Sequence, residues 1–207
     1  MNSSAEVLRK RFPDGFVRTK ESCGDTIVYV RKDALGEILE FLRDDPDQEY
    51  NYLVDITAVE YRDPEKPIEV VYELFSLGRK TPLRIKVELD KNATLEVDSV
   101  VSLWQGANWL EREVFDMFGI SFKGHPDLRR ILMWETYAEG HPLRKDFPLR
   151  GRFSRSEQVR QALNSNPESH YSMEELSIAD AYHELPDEMR DRLAKGERGV
   201  IPEPEGT

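Results

Sequence analysis

The chain has 207 residues, enough for one sizeable domain with an appendage or for two small domains. Hydrophobic residues make up 39% and charged residues 33%, a polar composition that predicts an unpacked tail or a surface spread over a partner. The sequence lacks both the long apolar run of a membrane span and a signal peptide, so we expect a soluble chain on the cytoplasmic side. A single cysteine, Cys23, excludes an internal disulfide, a four-thiolate zinc site and an iron–sulfur cluster.

The net charge of −11 is unevenly distributed along the chain. Residues 1–120 carry 16 Lys and Arg against 24 Asp and Glu, residues 121–160 carry 9 against 5, and residues 161–207 carry 4 against 11. A basic segment between two acidic ones predicts an acidic protein surface as its partner. Nucleic acid fits less well, because the acidic flanks would repel a phosphate backbone.

The first elements alternate between helix and strand. Residues 4–12 predict a short helix, and residues 26–32, which are rich in β-branched side chains, predict a strand. Asp33 stands where it would cap a second helix, which Asp45 and Pro46 end. The core face of that helix carries apolar residues at helical spacing: Leu35, Ile38, Leu39 and Leu42.

Three further strands are predicted at residues 52–61, 67–77 and 82–90. In the first of them we expect Val54, Ile56 and Ala58 on one side and Asp55 and Thr57 on the other. The last alternates between apolar and charged residues, which is typical of a sheet covered on one face only, and the short connection before it predicts an antiparallel hairpin. We therefore predict an α+β fold, a two-layer mixed or antiparallel sheet with helices on one face.

A charged helix is predicted from Asn108, its N-cap, to Gly119, its left-handed C-cap. Asp116 falls beside or opposite the apolar stripe, and its spacing of four residues from Arg112 allows an ion pair, although Arg before the acid is the weaker order. So many charges on a short helix predict a face held against another protein. The apolar stripe expected to face the core consists of Leu110, Val114, Met117 and Phe118.

Prolines and glycines interrupt every periodic run between residues 121 and 156. We therefore divide the chain into an α+β domain (residues 1–120), an extended irregular docking arm (121–160) and an acidic tail (161–207). The tail carries weak helical patterns near residues 172–182 and 186–195, and its end has a composition typical of disorder.

Two Gly-His-Pro sequences stand sixteen residues apart, around His125 and His141. Metal ligation is one interpretation, but no cysteine or further histidine completes a ligand set nearby. We favour turns in which each ring hydrogen-bonds to nearby backbone. A catalytic acid/base pair among Glu111, Glu113 and Asp116 is also disfavoured, since these carboxylates share one short helix and imply no substrate cleft.

The basic segment mixes cations with apolar side chains. This composition suits a segment that anchors on a partner protein, although an RNA-binding module using residues 144–160 remains an alternative. The cations are Arg144, Lys145, Arg150, Arg152, Arg155 and Arg160, and the interleaved apolar residues are Phe147, Leu149 and Phe153.

Residues 111–132, EREVFDMFGISFKGHPDLRRIL, resemble the signature of the C-subunit family of respiratory complex I, the proton-pumping NADH:quinone oxidoreductase. The Glu-Arg-Glu triplet, the following acid, the histidine, the basic residue and the final apolar pair match that pattern at every position. Residues 139–149 are similar to the family's next characteristic stretch, and residues 55–61 and 71–74 resemble its strands more loosely.

The resemblance implies a scaffold subunit of the peripheral arm, packed on the large quinone-site subunit and near the cluster-bearing subunits. It implies no active site, metal or cofactor in this chain, because flavin, iron–sulfur clusters and quinone are held by partner subunits. It further implies peripheral attachment to the cytoplasmic side of the inner membrane through the complex, without direct membrane insertion and without nucleic acid. The same role in a ferredoxin- or deazaflavin-dependent quinone oxidoreductase, or in a membrane-bound hydrogenase, is an alternative.

The motif positions carried over from the family mark an interface or its support and do not form a catalytic set. A role for either histidine in moving protons near the quinone site stays open. The positions are Glu111, Arg112, Glu113, Asp116, Phe118, Gly119, His125, Pro126, Arg129, His141, Pro142, Arg144, Lys145 and Asp146.

Overall fold

The structure, a computed structural model, describes residues 3–63, 65–134, 136–149 and 151–165. One compact unit comprises Met1–Gln158, and a second begins at Val159, of which the described part is the end of a helix. Arg150 and the helical patterns predicted in the tail lie outside the described residues, as does the end predicted to be disordered. The division at residues 120 and 160 stays a prediction.

The described chain is an α+β fold, as predicted. A short 3-10 turn, Lys32–Ala34, precedes the second helix. The elements in chain order are α1 (Ser3–Arg11), β1 (Phe16–Ser22), β2 (Asp25–Val30), α2 (Leu35–Asp44), β3 (Tyr52–Glu60), β4 (Ile68–Ser76), β5 (Thr81–Leu89), β6 (Glu96–Asp98), α3 (Ala107–Phe118), β7 (Ser121–Lys123) and α4 (Arg155–Ser165).

Five strands form a mixed sheet in the order β1-β2-β5-β4-β3. Strand β2 runs parallel to β5, and the other neighbours are antiparallel, including the predicted β4–β5 hairpin. Strands β6 and β7 form a separate parallel pair, so the chain just after α3 returns to the segment just before it. This pairing brings residues 121–123, the first part of the predicted arm, into the folded unit.

One face of the five-stranded sheet packs under the helices. The four apolar residues predicted for α2 are buried there, together with side chains from α1 and α3. The alternation predicted for β5 is also confirmed, because its apolar residues all face this core. Those residues are Leu83, Ile85, Val87 and Leu89.

The outer face of the sheet, the face away from the helices, is covered by paired charges. Lys86 Nζ lies 2.7 Å from Glu69 Oε2, and Arg84 pairs with Glu73. Arg18 on β1 pairs with Glu88 on β5, with Nη2 2.6 Å from Oε1. The charged positions of β5 thus bond to charged residues on other strands of the sheet, which is how one sheet face remains without helices.

Two local predictions were wrong. Asp33 does not cap α2: it lies in the 3-10 turn and pairs with Arg31 at 2.9 Å, while Ala34 occupies the N-cap position without a side-chain bond. Val54 does not face the core, because the register of β3 against β4 shifts between Leu53 and Asp55. The shift buries Leu53 and leaves Val54 half exposed.

Candidate docking site

Helix α3 is the element from which the site is built. Its residues Val114, Met117 and Phe118 are buried as predicted, and Leu110 is partly buried against the same core. The helix ends at Gly119, whose φ of 76° confirms the left-handed C-cap. Asn108 was wrongly predicted as the N-cap, since the helix begins one residue earlier with Gly106 at that position.

Glu111 is fully buried, which the predicted charged face did not anticipate. Its carboxylate accepts a hydrogen bond from the Val100 backbone N–H at 2.7 Å and another from Ser99 Oγ at 2.7 Å. Burial raises the pKa of Glu111 to about 7, although both hydrogen bonds favour the charged form and act against this shift. Glu111 therefore ties the turn before α3 to the helix from inside the protein.

Asp116 is also fully buried and does not pair with Arg112 as predicted. Oδ2 accepts three backbone N–H bonds, from Ile131 at 3.0 Å and from Leu132 and Met133 at 2.8 Å. Oδ1 accepts a bond from Arg130 Nη1 at 2.6 Å. Burial alone would raise the pKa of Asp116, but the backbone and Arg130 bonds outweigh burial and lower it.

Arg112 contacts the arm from the other side of the same segment. Its Nε donates to the carbonyl of Arg129 at 3.1 Å, and its Nη2 donates to the carbonyl of Arg130 at 3.2 Å. Of the four charged residues on α3, only Glu113 has an exposed side chain. Arg112 and Asp116 thus support the arm from inside the protein, and Glu111 holds the turn before α3. A direct contact with another subunit stays a prediction for Glu113.

Both histidine rings hydrogen-bond to backbone, as predicted, and the carbonyls that they contact belong to α3. The Nε2 of His125 lies 3.2 Å from the Asn108 carbonyl, and the Nδ1 of His141 lies 2.9 Å from the Asp116 carbonyl. The second contact requires a glycine at the end of α3: a Cβ on Gly119 would lie 2.5 Å from His141 Cδ2. The two histidines fasten the arm to the two ends of one helix.

Glu60, at the end of β3, holds the arm after His141. Its Oε2 accepts the backbone N–H of Lys145 at 2.7 Å and lies 3.4 Å from Arg144 Nε. Sequence reasoning missed this residue. The available signal was an acid at the core-facing position of an otherwise apolar strand pattern, where a buried carboxylate needs donors.

Glu139 performs the same task for the last part of the arm, and it was also missed. Its Oε2 accepts the backbone N–H of Arg152 at 2.7 Å, and its Oε1 accepts a bond from Gln158 Nε2 at 3.0 Å. An irregular segment has few ladder partners for its N–H groups, and buried carboxylates are strong acceptors for them. The arm is therefore held in one shape by carboxylates of this same chain.

The remaining predicted site residues lie at or near the surface of the arm. Pro126 is exposed, and Arg129 pairs with Asp127 at the surface at 2.9 Å. Lys145 and Asp146 are exposed, and Pro142 is partly buried. Several bulky apolar side chains of α3 and of the arm are also exposed: Trp109, Leu132, Leu143, Leu149 and Phe153. In contrast, Phe118 is a core residue and cannot contact a partner.

Fold and site together define a class: a small α+β protein in which an irregular arm is held against the end of the sheet domain by buried carboxylates. Residues 28–153 match the family described as respiratory-chain NADH dehydrogenase, 30 Kd subunit, and the chain belongs to this family. The match contains the motif at residues 111–132, so the resemblance seen in the sequence is confirmed.

Individual relatives agree with the family. The chain is 44% identical over 150 residues to the C subunit of NADH-quinone oxidoreductase from Citrifermentans bemidjiense, covering 72% of this chain and 91% of that protein. It is 47% identical over 144 residues to the protein of the same name from Roseiflexus sp. strain RS-1, covering 70% of this chain and 82% of the relative.

A solved structure shares the fold at lower identity. A chain of the membrane-bound sulfane sulfur reductase (MBS), an archaeal respiratory membrane complex, aligns with a TM-score of 0.58 and 22% identity. The alignment covers 71% of this chain and 85% of that one. Within the described ranges of the present chain, no helix is both long and apolar enough to cross a bilayer.

Proposed function

We propose that this chain is a docking subunit of an NADH:quinone oxidoreductase, with no cofactor and no active site of its own. The family assignment and two relatives at 44% and 47% identity, each the C subunit of an NADH-quinone oxidoreductase, support the subunit role. In this role the chain is a scaffold subunit of a complex that transfers electrons from NADH to quinone. Flavin, iron–sulfur clusters and quinone are held by other subunits.

The role as a docking subunit is supported by the hydrogen bonds of four buried carboxylates, which bind backbone of this same chain. Glu60, Glu111, Asp116 and Glu139 all accept hydrogen bonds from backbone N–H groups. Carboxylates satisfied in this way fix the chain and leave few lone pairs for a substrate or metal. Glu60, Asp116 and Glu139 thereby hold the arm, which displays apolar and basic side chains, and Glu111 holds the turn before α3.

We propose the large quinone-site subunit as the principal partner and its cluster-bearing neighbours as further contacts. The arm is the basic part of an acidic chain, so an acidic protein surface is attracted to it selectively. Attachment to the cytoplasmic side of the membrane would then be peripheral, through the complex.

Two alternatives are a different parent complex and a different binding partner, RNA. A ferredoxin- or deazaflavin-dependent quinone oxidoreductase or a hydrogenase would use the same fold, but the relatives at 44% and 47% identity favour NADH. RNA binding through residues 144–160 has no support from these relatives. In addition, the Arg152 guanidinium already lies 6.0 Å from the centre of the Phe147 ring, on which a base would stack.

Purification from native membranes with identification of the co-purifying subunits tests the proposal. We expect the NADH-, flavin- and quinone-binding subunits of one oxidoreductase to accompany the chain. The isolated chain should contain neither iron nor flavin and should not oxidise NADH. Stoichiometric iron or intrinsic NADH turnover in the isolated chain would overturn the absence of a cofactor, and co-purification with RNA alone would overturn the subunit role.

A further inference from the structure

We infer that one cleft in the arm receives an acidic segment of a partner subunit that inserts a bulky apolar side chain. This inference rests on the proposed function and adds to it the place of docking and the chemistry of the docked segment. The cleft has a volume of about 670 Å³. Its lining includes Arg62, Pro142, Leu143, Lys145, Pro148 and Leu149.

The apolar part of the cleft is unusually open to water. Leu149 has a relative exposure of 104%, the highest among the exposed large hydrophobic residues of the described ranges, and Leu143 is half exposed. Single exposed leucines are common on protein surfaces, but two of them beside two prolines in one concavity are typical of a binding groove. A partner's apolar side chain would remove this surface from water.

The cleft is preformed, which lowers the cost of binding. Successive turns fix its backbone: Arg144 N–H donates to the His141 carbonyl at 3.1 Å, and Phe147 N–H donates to the Arg144 carbonyl at 3.1 Å. The Lys145 N–H is held by Glu60 at 2.7 Å. Because these bonds already order the loop, little conformational entropy remains to be lost when a partner docks.

Two cations at the cleft are available to a partner. Arg144 is not one of them, since its guanidinium faces Glu60 at 3.4 Å and Asp146 at 3.7 Å. Arg62 and Lys145 are exposed, and within the described part of the chain neither has an anionic partner. In a chain with a net charge of −11, two unmatched cations beside an apolar floor select an acidic segment with an apolar anchor.

The test uses full-length variants in the source organism, with the chromosomal copy deleted, and quantifies the chain in the purified complex. Leu149→Asp should reduce the co-purifying amount at least tenfold, and the double change Arg62→Glu with Lys145→Glu should reduce it comparably. The matched controls are Leu77→Asp, at a leucine that is 59% exposed on the β4–β5 turn, and Lys20→Glu on β1. Both control variants should be present in the purified complex in wild-type amounts. Each purified variant chain should have the same thermal unfolding midpoint as the wild-type chain.

A photo-crosslinking residue at position 149 in the assembled complex identifies the occupant independently of any loss of binding. We expect one crosslinked peptide from another protein of the complex, with Asp or Glu next to a large apolar residue. Crosslinks to a second copy of this chain, to its own residues 166–207 or to lipid would overturn the inference.

The two proposals fail differently. If the wild-type chain does not co-purify with an NADH:quinone oxidoreductase, the proposed function fails. If it does, and Leu149→Asp co-purifies as well as Leu77→Asp does, only the cleft assignment fails.

Discussion

Asp116 and Arg130 form an ion pair closed off from water, with Arg130 Nη1 2.6 Å from Asp116 Oδ1, a fully buried carboxylate and a guanidinium 15% exposed. The other end of the guanidinium donates from Nη2 to the Gly140 carbonyl at 3.1 Å. Through this pair, helix α3 holds the arm at two points that are ten residues apart in the sequence. The pair therefore connects the folding of the sheet domain to the shape of the arm.

Replacing Asp116 with Asn tests that connection. The amide has nearly the same shape, but it removes the negative charge opposite Arg130. Only one of its two terminal atoms, the oxygen, can accept hydrogen bonds, whereas Asp116 accepts at both Oδ1 and Oδ2. Breaking a buried pair in this way costs about 3–5 kcal/mol, so the free energy of unfolding in urea should fall by that amount. The control is Asp127→Asn, which removes a surface pair with Arg129 and should cost less than about 1 kcal/mol. Equal effects of the two changes would contradict an organising role for Asp116.

Glu111 should make the stability of the protein depend on pH between about 4.5 and 7, because burial raises its pKa from 4.5 to about 7. In that range the folded protein binds more protons than the unfolded chain, so the free energy of unfolding decreases as the pH rises. The contribution of Glu111 to this decrease is up to about 3 kcal/mol, reached above pH 7.

The variant Glu111→Gln isolates this effect. Its amide oxygen can accept from Val100 N–H, and its amide nitrogen can donate to Ser99 Oγ, while the carboxyl proton equilibrium is lost. Urea unfolding at pH 5 and pH 8 should show a smaller decrease for the variant than for the wild type, with the variant more stable at pH 8. Parallel pH profiles would show that Glu111 titrates at an ordinary pKa.

Gly119→Ala should destabilise the protein by more than about 1–2 kcal/mol, the usual cost of a left-handed conformation for a residue with a Cβ. The additional cost comes from His141, since the new Cβ would lie 2.5 Å from its Cδ2. Gly36→Ala is the matched control. It lies within α2, and no atom beyond its chain neighbours and the backbone of its own helix lies within 4 Å of its Cβ position, so the same change there should stabilise the protein by about 0.5–1 kcal/mol.

Arg112→Ala should lower the amount of assembled complex and leave the turnover of each assembled complex unchanged. Arg112 bonds only to arm carbonyls in the described structure, so its loss loosens the arm. Native gels give the amount of complex, and NADH:quinone activity divided by that amount gives the turnover. Arg9→Ala, at an exposed arginine of α1, serves as the control. Normal assembly with reduced turnover would contradict the scaffold role.

Ending the chain after Gly140 tests the predicted boundary of the α+β domain. The sheet should still form, but Glu60 would lose the Lys145 N–H and Glu139 would lose that of Arg152. A hydrogen bond to a charged group contributes about 1.5–3 kcal/mol net, so unfolding should require about 3–6 kcal/mol less than in a chain ending after Ser165, which keeps both bonds. Equal stability of the two chains would place residues 141–165 outside the cooperative fold.

The sequence predicted the regular part of the fold well, because burial there follows simple periods. The period-2 pattern of β5 and the 3.6-residue pattern of α2 each identified a core face correctly. The error at Val54 arose from a register shift, which no periodic pattern encodes.

The site was predicted less well, because its key charges are buried. Helical spacing placed Asp116 near Arg112, and surface pairing was the natural expectation for two charges four residues apart. The actual partners of Asp116 are Arg130 and three backbone N–H groups, which irregular structure brings back from 14 to 17 residues further along the chain. Contacts of this kind follow from tertiary folding, and a single sequence shows only that the residues are present.

The outer face of the sheet already satisfies its own charges, through Lys86 with Glu69 and Arg84 with Glu73. A charged group of another protein that approaches this face must break an existing ion pair before it can form a new one, so binding there is disfavoured. Encounters through this face are therefore short-lived, whatever the shape complementarity of the two surfaces. An encounter in which the arm faces the partner is therefore favoured over one in which the outer face of the sheet does. No steric barrier is needed to disfavour the second orientation.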